Sequence, residues 1–74
     1  MSMTPEEIER RFVYHAPDER TRGIHEEWRH HERWYAEHLA DFAPSRELSL
    51  AFTKLEEMTF WVHAHIARNL TAHE

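Results

Sequence analysis

The longest unbroken apolar pattern in the chain lies between Pro44 and Leu70, where no further Gly or Pro occurs. Leu48, Phe52, Leu55, Thr59, Val62 and Ile66 recur in steps of four and three, which places them on one face of an α-helix. Ala51, Met58, Trp61 and Ala64 form a second row, with Leu50 and Phe60 beside it. The ring of Pro44 cannot continue a preceding helix, and the Ser45 hydroxyl can cap a new one. The pattern predicts a helix over 45–71 with two apolar faces. One face can bury against a partner helix in the same chain. The second needs more protein than 74 residues contain, so this helix is expected to serve both core and interface.

Upstream the pattern is shorter. Thr4-Pro5-Glu6-Glu7 is a helix start: Thr4 as cap, Pro5 at the first helical position, Glu7 completing a capping box. Ile8 and Phe12 lie four apart, predicting a short amphipathic helix over 4–13 with Glu6–Arg10 and Glu7–Arg11 as charge pairs. Met1, Ser2 and Met3 are expected to fray. Ala16 precedes Pro17 and is pushed toward extended backbone, so 14–19 reads as a linker carrying Tyr14. Asp18 or Thr21 can cap the next helix, expected over 20–43. Ile24, Trp28, His31, Tyr35, Leu39 and Phe42 share its apolar face. Ala43-Pro44 is too short for anything but an antiparallel return. The expected fold is all-α: one domain over 1–74, a short N-terminal helix plus a long antiparallel helical hairpin, assembling as a homo-oligomer.

Composition sharpens that expectation. Chains this short bury only about 60% of their unfolded surface and are marginal alone. No cysteine is present to supply a disulfide, and a reducing compartment fits that. Three Trp, four Phe and two Tyr are many for a small core, and large aromatics without room inside point to burial between subunits. No run of about 18 apolar residues exists to cross a membrane, and the polar N-terminus does not read as a secretory signal. The net charge of −5 argues against a binder of long nucleic acid, while leaving room for a small anion in a local basic pocket.

Candidate chemistry is sparse. No two of the eight histidines stand three or four apart, so no helix offers a His pair on one face. Glu27-x-x-His30 has di-iron spacing, but the last helix lacks its counterpart, so no metal or cofactor is expected. The histidines read instead as a solvated, partly interfacial set. Ser45 and Ser49 have no evident base, and Glu56 and Glu57 point about 100° apart on a helix, so catalysis is not expected. Arg29 and Arg33 lie one turn apart and offer guanidinium forks suited to phosphate, unless neighbouring Glu26, Glu32 or Glu37 engage them. Arg68 near the last helix's end can serve that helix's dipole.

FVYHAP at 12–17 and PSRELSLAFTKLEEMTFWVHAHIARN at 44–69 resemble the phage anti-CBASS cyclic-nucleotide sponge family, whose helical hairpin is shared with Thoeris anti-defence sponges. The resembling residues are Phe12, Tyr14, His15 and Pro17; Arg29; Pro44 to Glu47; Thr53 to Glu57; Trp61; and Ile66 to Asn69. The likeness spans about 12–70 and is loosest between Gly23 and Ala43, where His, Trp and Glu crowd.

The resemblance implies a phage protein in the cytoplasm of the infected bacterial host. It would sequester cyclic oligonucleotide messengers without cleaving them and so block CBASS-type signalling. It implies a hexamer, with cyclic dinucleotides held between paired protomers and cyclic trinucleotides near threefold contacts. By position, Tyr14 stacks on a base and Arg29, where Lys is common, meets a phosphate; Arg68 matches a trinucleotide-pocket arginine. The competing expectation is a structural or regulatory hairpin oligomer that binds another protein through its aromatic face.

Overall fold

A computed structural model describes residues 3–71; Met1, Ser2 and the stretch 72–74 lie outside the described residues, and with them the first two residues of the expected frayed end. Three α-helices and one π-helical turn make up the secondary structure of the described residues, with no strand.

Helix α1 runs Pro5–Phe12. The Thr4 side chain accepts from the Glu7 backbone N–H at 3.1 Å, and Pro5 occupies the first turn. Only half of the expected capping box forms. The Glu7 carboxylate turns away and takes Arg10 Nη2 at 2.8 Å and Arg11 Nε at 2.6 Å, because a guanidinium offers a charged donor where the cap offers a neutral one. Arg10 thus pairs with Glu7 rather than with Glu6.

Helix α2 runs Glu19–Leu39. Asp18 caps it through a reciprocal box: Thr21 N donates to Asp18 Oδ1 at 2.8 Å, and Asp18 N donates to Thr21 Oγ1 at 3.0 Å. The helix ends four residues before the expected 43. Ala43 cannot be helical ahead of Pro44, and the chain tightens beforehand into i→i−3 bonds from Asp41 to His38 and Phe42 to Leu39, each 3.2 Å. Phe42 therefore leaves the helix face on which the pattern placed it and stands exposed.

Helix α3 runs Arg46–His65, capped by Ser45 Oγ on Leu48 N at 2.9 Å. It continues into a π-helical turn, Ile66–Leu70, closed by Thr71 N donating to Ile66 O at 3.1 Å. This wider turn packs on α2. Contacts pair Thr21 with Thr71 and His25 with His63, so the two long helices run antiparallel.

The row Leu48, Phe52, Leu55, Thr59, Val62 and Ile66 faces inward, half-buried along its length and fully buried at Ile66. On α2 the inward face keeps only Ile24 and Leu39 of the apolar row read from the sequence. Thr21, His25, Glu32, Ala36 and Leu39 turn inward with Ile24, while Trp28 and Tyr35 lie toward the open side. The buried residues among those described are Ile66, Thr21, His25 and Thr71, one apolar and three polar.

The molecule is a plate. Its extents are 47 × 34 × 12 Å, and 12 Å is about one helix diameter. The radius of gyration is 15.7 Å, against about 11 Å for a compact domain of this length. A domain ordinarily buries its core between two packed layers; this protomer is one layer. Trp28, Trp34, Tyr35, Met58, Phe60 and Trp61 are left exposed.

Candidate anion-binding sites and the family

Tyr14 projects from the extended segment between α1 and α2 and is 83% exposed, the most open of the large hydrophobic side chains. Among the described residues nothing covers its ring, so a planar base has an open aromatic face to stack on.

Arg29 and Arg33 differ in engagement. Arg33 Nε donates to Glu37 Oε1 at 2.7 Å, the local pairing that its sequence neighbours allow. Among the described residues Arg29 makes no ion pair and is exposed, so its guanidinium fork is available to an outside anion. Tyr14 and Arg29 do not meet within the protomer. Arg29 stands ten residues into α2, about 15 Å along its axis from the end where Tyr14 emerges.

Arg68 sits in the last turn of the C-terminal helical segment, where it can serve the dipole, and it does more than that. Its Nη2 donates to the carbonyl of Arg11 at 3.2 Å, in the last turn of α1. His15 Nε2 donates to the neighbouring Arg10 carbonyl at 2.9 Å. Two carbonyls that the short helix leaves without intrahelical partners are thus satisfied from outside. Arg10 reaches back across the same junction and donates to Asn69 Oδ1 at 2.8 Å. These bonds dock α1 on the C-terminal end of the hairpin.

The docking creates a cleft of about 470 Å³ lined by Arg10, Arg11, Phe12, Trp61 and Arg68. Phe12 is 75% and Trp61 67% exposed, so two rings flank three guanidinium groups. Glu7 lies behind the first two arginines. Hydrogen bonds from Arg10 and Arg11 hold its carboxyl below the usual carboxylate range, and Glu7 in turn raises Arg10. With Glu7 ionised, the cleft region keeps an excess of positive charge on a chain whose net charge is −5. The seven-residue spacing of Trp61 and Arg68 was visible in the sequence. The contribution of Arg10, Arg11 and Phe12 was not, because it depends on where α1 docks.

The family described as Acb2/Tad1, hairpin domain, matches residues 4–67, which includes all three helices but for the π-helical turn's end. The chain belongs to the Acb2/Tad1 hairpin family. This is the anti-CBASS and anti-Thoeris sponge family. The matched stretch begins earlier than the resemblance seen in the sequence, taking in α1, and contains Tyr14 and Arg29. It stops one residue short of Arg68. No curated protein and no solved structure matches the chain. Among the described residues no group of three or more His, Asp or Glu side chains is placed to hold a metal ion, and no helix is long and apolar enough to cross a membrane.

Proposed function

We propose that this protein is a phage sponge: it binds cyclic oligonucleotide messengers in the bacterial host's cytoplasm, does not cleave them, and so starves CBASS-type effectors of their activator. Membership of the sponge family is the observation that carries this reading. The exposed Tyr14, the unpaired Arg29 and the arginine-and-aromatic cleft at Arg68 support it, since each offers what a phosphate or a base recognises.

The reading requires assembly. A protomer one helix thick cannot enclose a ligand, and its Tyr14 does not reach its own Arg29. A twofold contact between protomers brings two Tyr14 and two Arg29 around one cyclic dinucleotide, whose two phosphates and two bases repeat the same symmetry. A threefold contact through Trp61 brings three copies of Arg68 toward one cyclic trinucleotide. A homohexamer supplies both axes. Sequestration without turnover suits the proposed site residues, aromatic rings and guanidinium groups, which hold charge and stack but are poor proton acceptors at neutral pH.

The exposed aromatic side chains of α2 and α3 also favour a second reading, a hairpin oligomer that docks another protein. A thermal-shift panel of cyclic di- and trinucleotides separates the two. Ligands that bind the native state raise its melting temperature by mass action, about 2.7 kcal/mol of stabilisation at 100-fold excess over Kd. The sponge reading expects such a rise and intact ligand recovered after heat denaturation. A flat panel, or linear nucleotide produced only when the protein is present, rules against it.

A further inference from the structure

A largely buried polar contact between the two long helices plays no part in the sites described above. His25 of α2 is 8% exposed, and its Nδ1 faces the Nδ1 of His63 on α3 at 2.5 Å. The ring centroids are 4.8 Å apart and the planes lie within 10° of parallel. Rings stacked face to face cannot bring two nitrogens that close, so the imidazoles meet edge to edge. His63 Nε2 then donates to Glu32 Oε1 of α2 at 3.0 Å. The other carboxylate oxygen lies equally near, but not where the N–H points, and is buried without a hydrogen-bond partner. The contact is a chain, His25–His63–Glu32, crossing from α2 to α3 and back.

The spacing fixes what can occupy the gap. Two imidazole nitrogens on a tetrahedral zinc, with bonds of about 2.0–2.1 Å, stand roughly 3.3 Å apart. At 2.5 Å the two nitrogens stand close enough to share one proton. One proton must serve both Nδ1 atoms, because two would set donor against donor. With the Glu32 carboxylate fixing the far nitrogen of His63 as a donor, the pair can carry at most one net positive charge while the contact exists.

We propose that His25–His63–Glu32 is a proton-operated latch, closed at neutral pH and opened by acidification, that holds the C-terminal end of α3 against the start of α2. A second added proton abolishes the only acceptor in the Nδ1–Nδ1 bond and places two imidazolium rings in contact. The charges that bear on His25 are His63 from α3 and Arg29 and Glu32 from its own helix. The π-helical turn, which also packs here, adds Ile66 and, just beyond it, the Thr71 hydroxyl bonded to Thr21 Oγ1 at 3.3 Å; its arginine, Arg68, is turned to Arg11. Burial holds His25 below its usual range, His63 and Arg29 push the same way, and Glu32 opposes them. The unfolded chain therefore takes up the proton first. The latch contributes its full stability above the unfolded value of about 6.5 and loses it as pH falls through the lower folded value. Thr21 lies one turn before His25 on α2, and Ile66 lies three residues after His63, so the buried centre of the protomer opens with the latch.

The proposal does not depend on nucleotide binding and is tested on the free full-length protein. Two-bond 1H–15N spectra of the histidine rings are recorded from pH 7.5 to 5, with exposed His30, His31 and His38 as internal references. The expected result is a proton resonance correlated with Nδ1 of both His25 and His63 at pH 7.5. It disappears between pH 6.5 and 5, together with amide-exchange protection at Thr21, His25 and Ile66. Absence of that resonance at pH 7.5, or unchanged protection after it is gone, overturns the proposal. In parallel, His63→Gln removes the shared proton but keeps a polar side chain. One proton of difference changes the folding constant up to tenfold per pH unit, about 5–11 °C in Tm for a domain this size. Between pH 6.5 and 5.5 the variant's Tm should fall by that much less than the wild type's. A variant with the wild-type slope overturns the proposal, and if the variant does not fold, the wild-type spectra decide.

Discussion

Single side chains divide here by whether the protomer uses them. Arg33 is held by Glu37, and Arg68 by a backbone carbonyl of α1, whereas among the described residues Arg29 and Tyr14 have no ion pair or hydrogen bond from their side chains. Stacking contributes about 1–3 kcal/mol per base and a charge-assisted hydrogen bond about 1.5–3. Tyr14→Ala and Arg29→Ala should therefore each weaken cyclic dinucleotide binding at least ~10-fold in calorimetry, since about 1.4 kcal/mol is a decade. Wild-type affinity in both would remove these residues from the site. Arg68→Ala is expected to abolish cyclic trinucleotide binding and spare dinucleotide binding, while also lowering Tm through the loosened end of α1. A fall in Tm with both affinities intact would leave Arg68 a purely structural role. The exposure of Tyr14 was legible in the sequence, because an aromatic on a proline-broken linker has little to pack on, whereas the binding roles of Tyr14 and Arg29 rest on the family resemblance and not on local pattern. His25 and His63 were not legible as a pair. They stand 38 residues apart, and only the register of the hairpin sets one against the other.

The elements follow their caps closely, and their ends follow proline. Thr4, Asp18 and Ser45 each cap the helix that the sequence assigns to them or allows. Asp18 carries the fullest arrangement, a reciprocal box with the buried Thr21, whose hydroxyl also reaches Thr71 across the hairpin. Asp18→Ala should cost about 0.5–2 kcal/mol and lower Tm by several degrees, more than Ser45→Ala, whose cap is exposed and single. Equal losses in a melting experiment would show that the Thr21–Thr71 contact stands without its cap. The last turn of α2 was misread for an identifiable reason. Phe42 continues the apolar spacing of Leu39, and periodicity alone carries the helix on, whereas the restriction that Pro44 places on Ala43 ends it early. The inward face of α2 was misread because polarity is a poor guide to burial when the buried groups satisfy one another. His25 and Glu32 look like surface residues until His63 is placed between them.

The whole molecule is a plate with one buried apolar side chain among the described residues, Ile66. Its other apolar groups are half-covered or open, a condition that single chains of this size rarely sustain. Light scattering at micromolar concentration should find an assembly and no folded monomer. Trp61→Glu, which would set an unpaired carboxylate into a subunit contact, should dissociate that assembly at a cost of several kcal/mol. A well-folded wild-type monomer would contradict this. The thinness of the plate has a further consequence in time. If the protomer gains its inside only from its copies, and the proposed sponge function holds, chains made early in an infection accumulate as poorly folded, proteolysis-prone monomers, and binding capacity rises abruptly once a threshold concentration is crossed. Synthesis rate, more than affinity, would then decide whether the host's alarm is silenced in time.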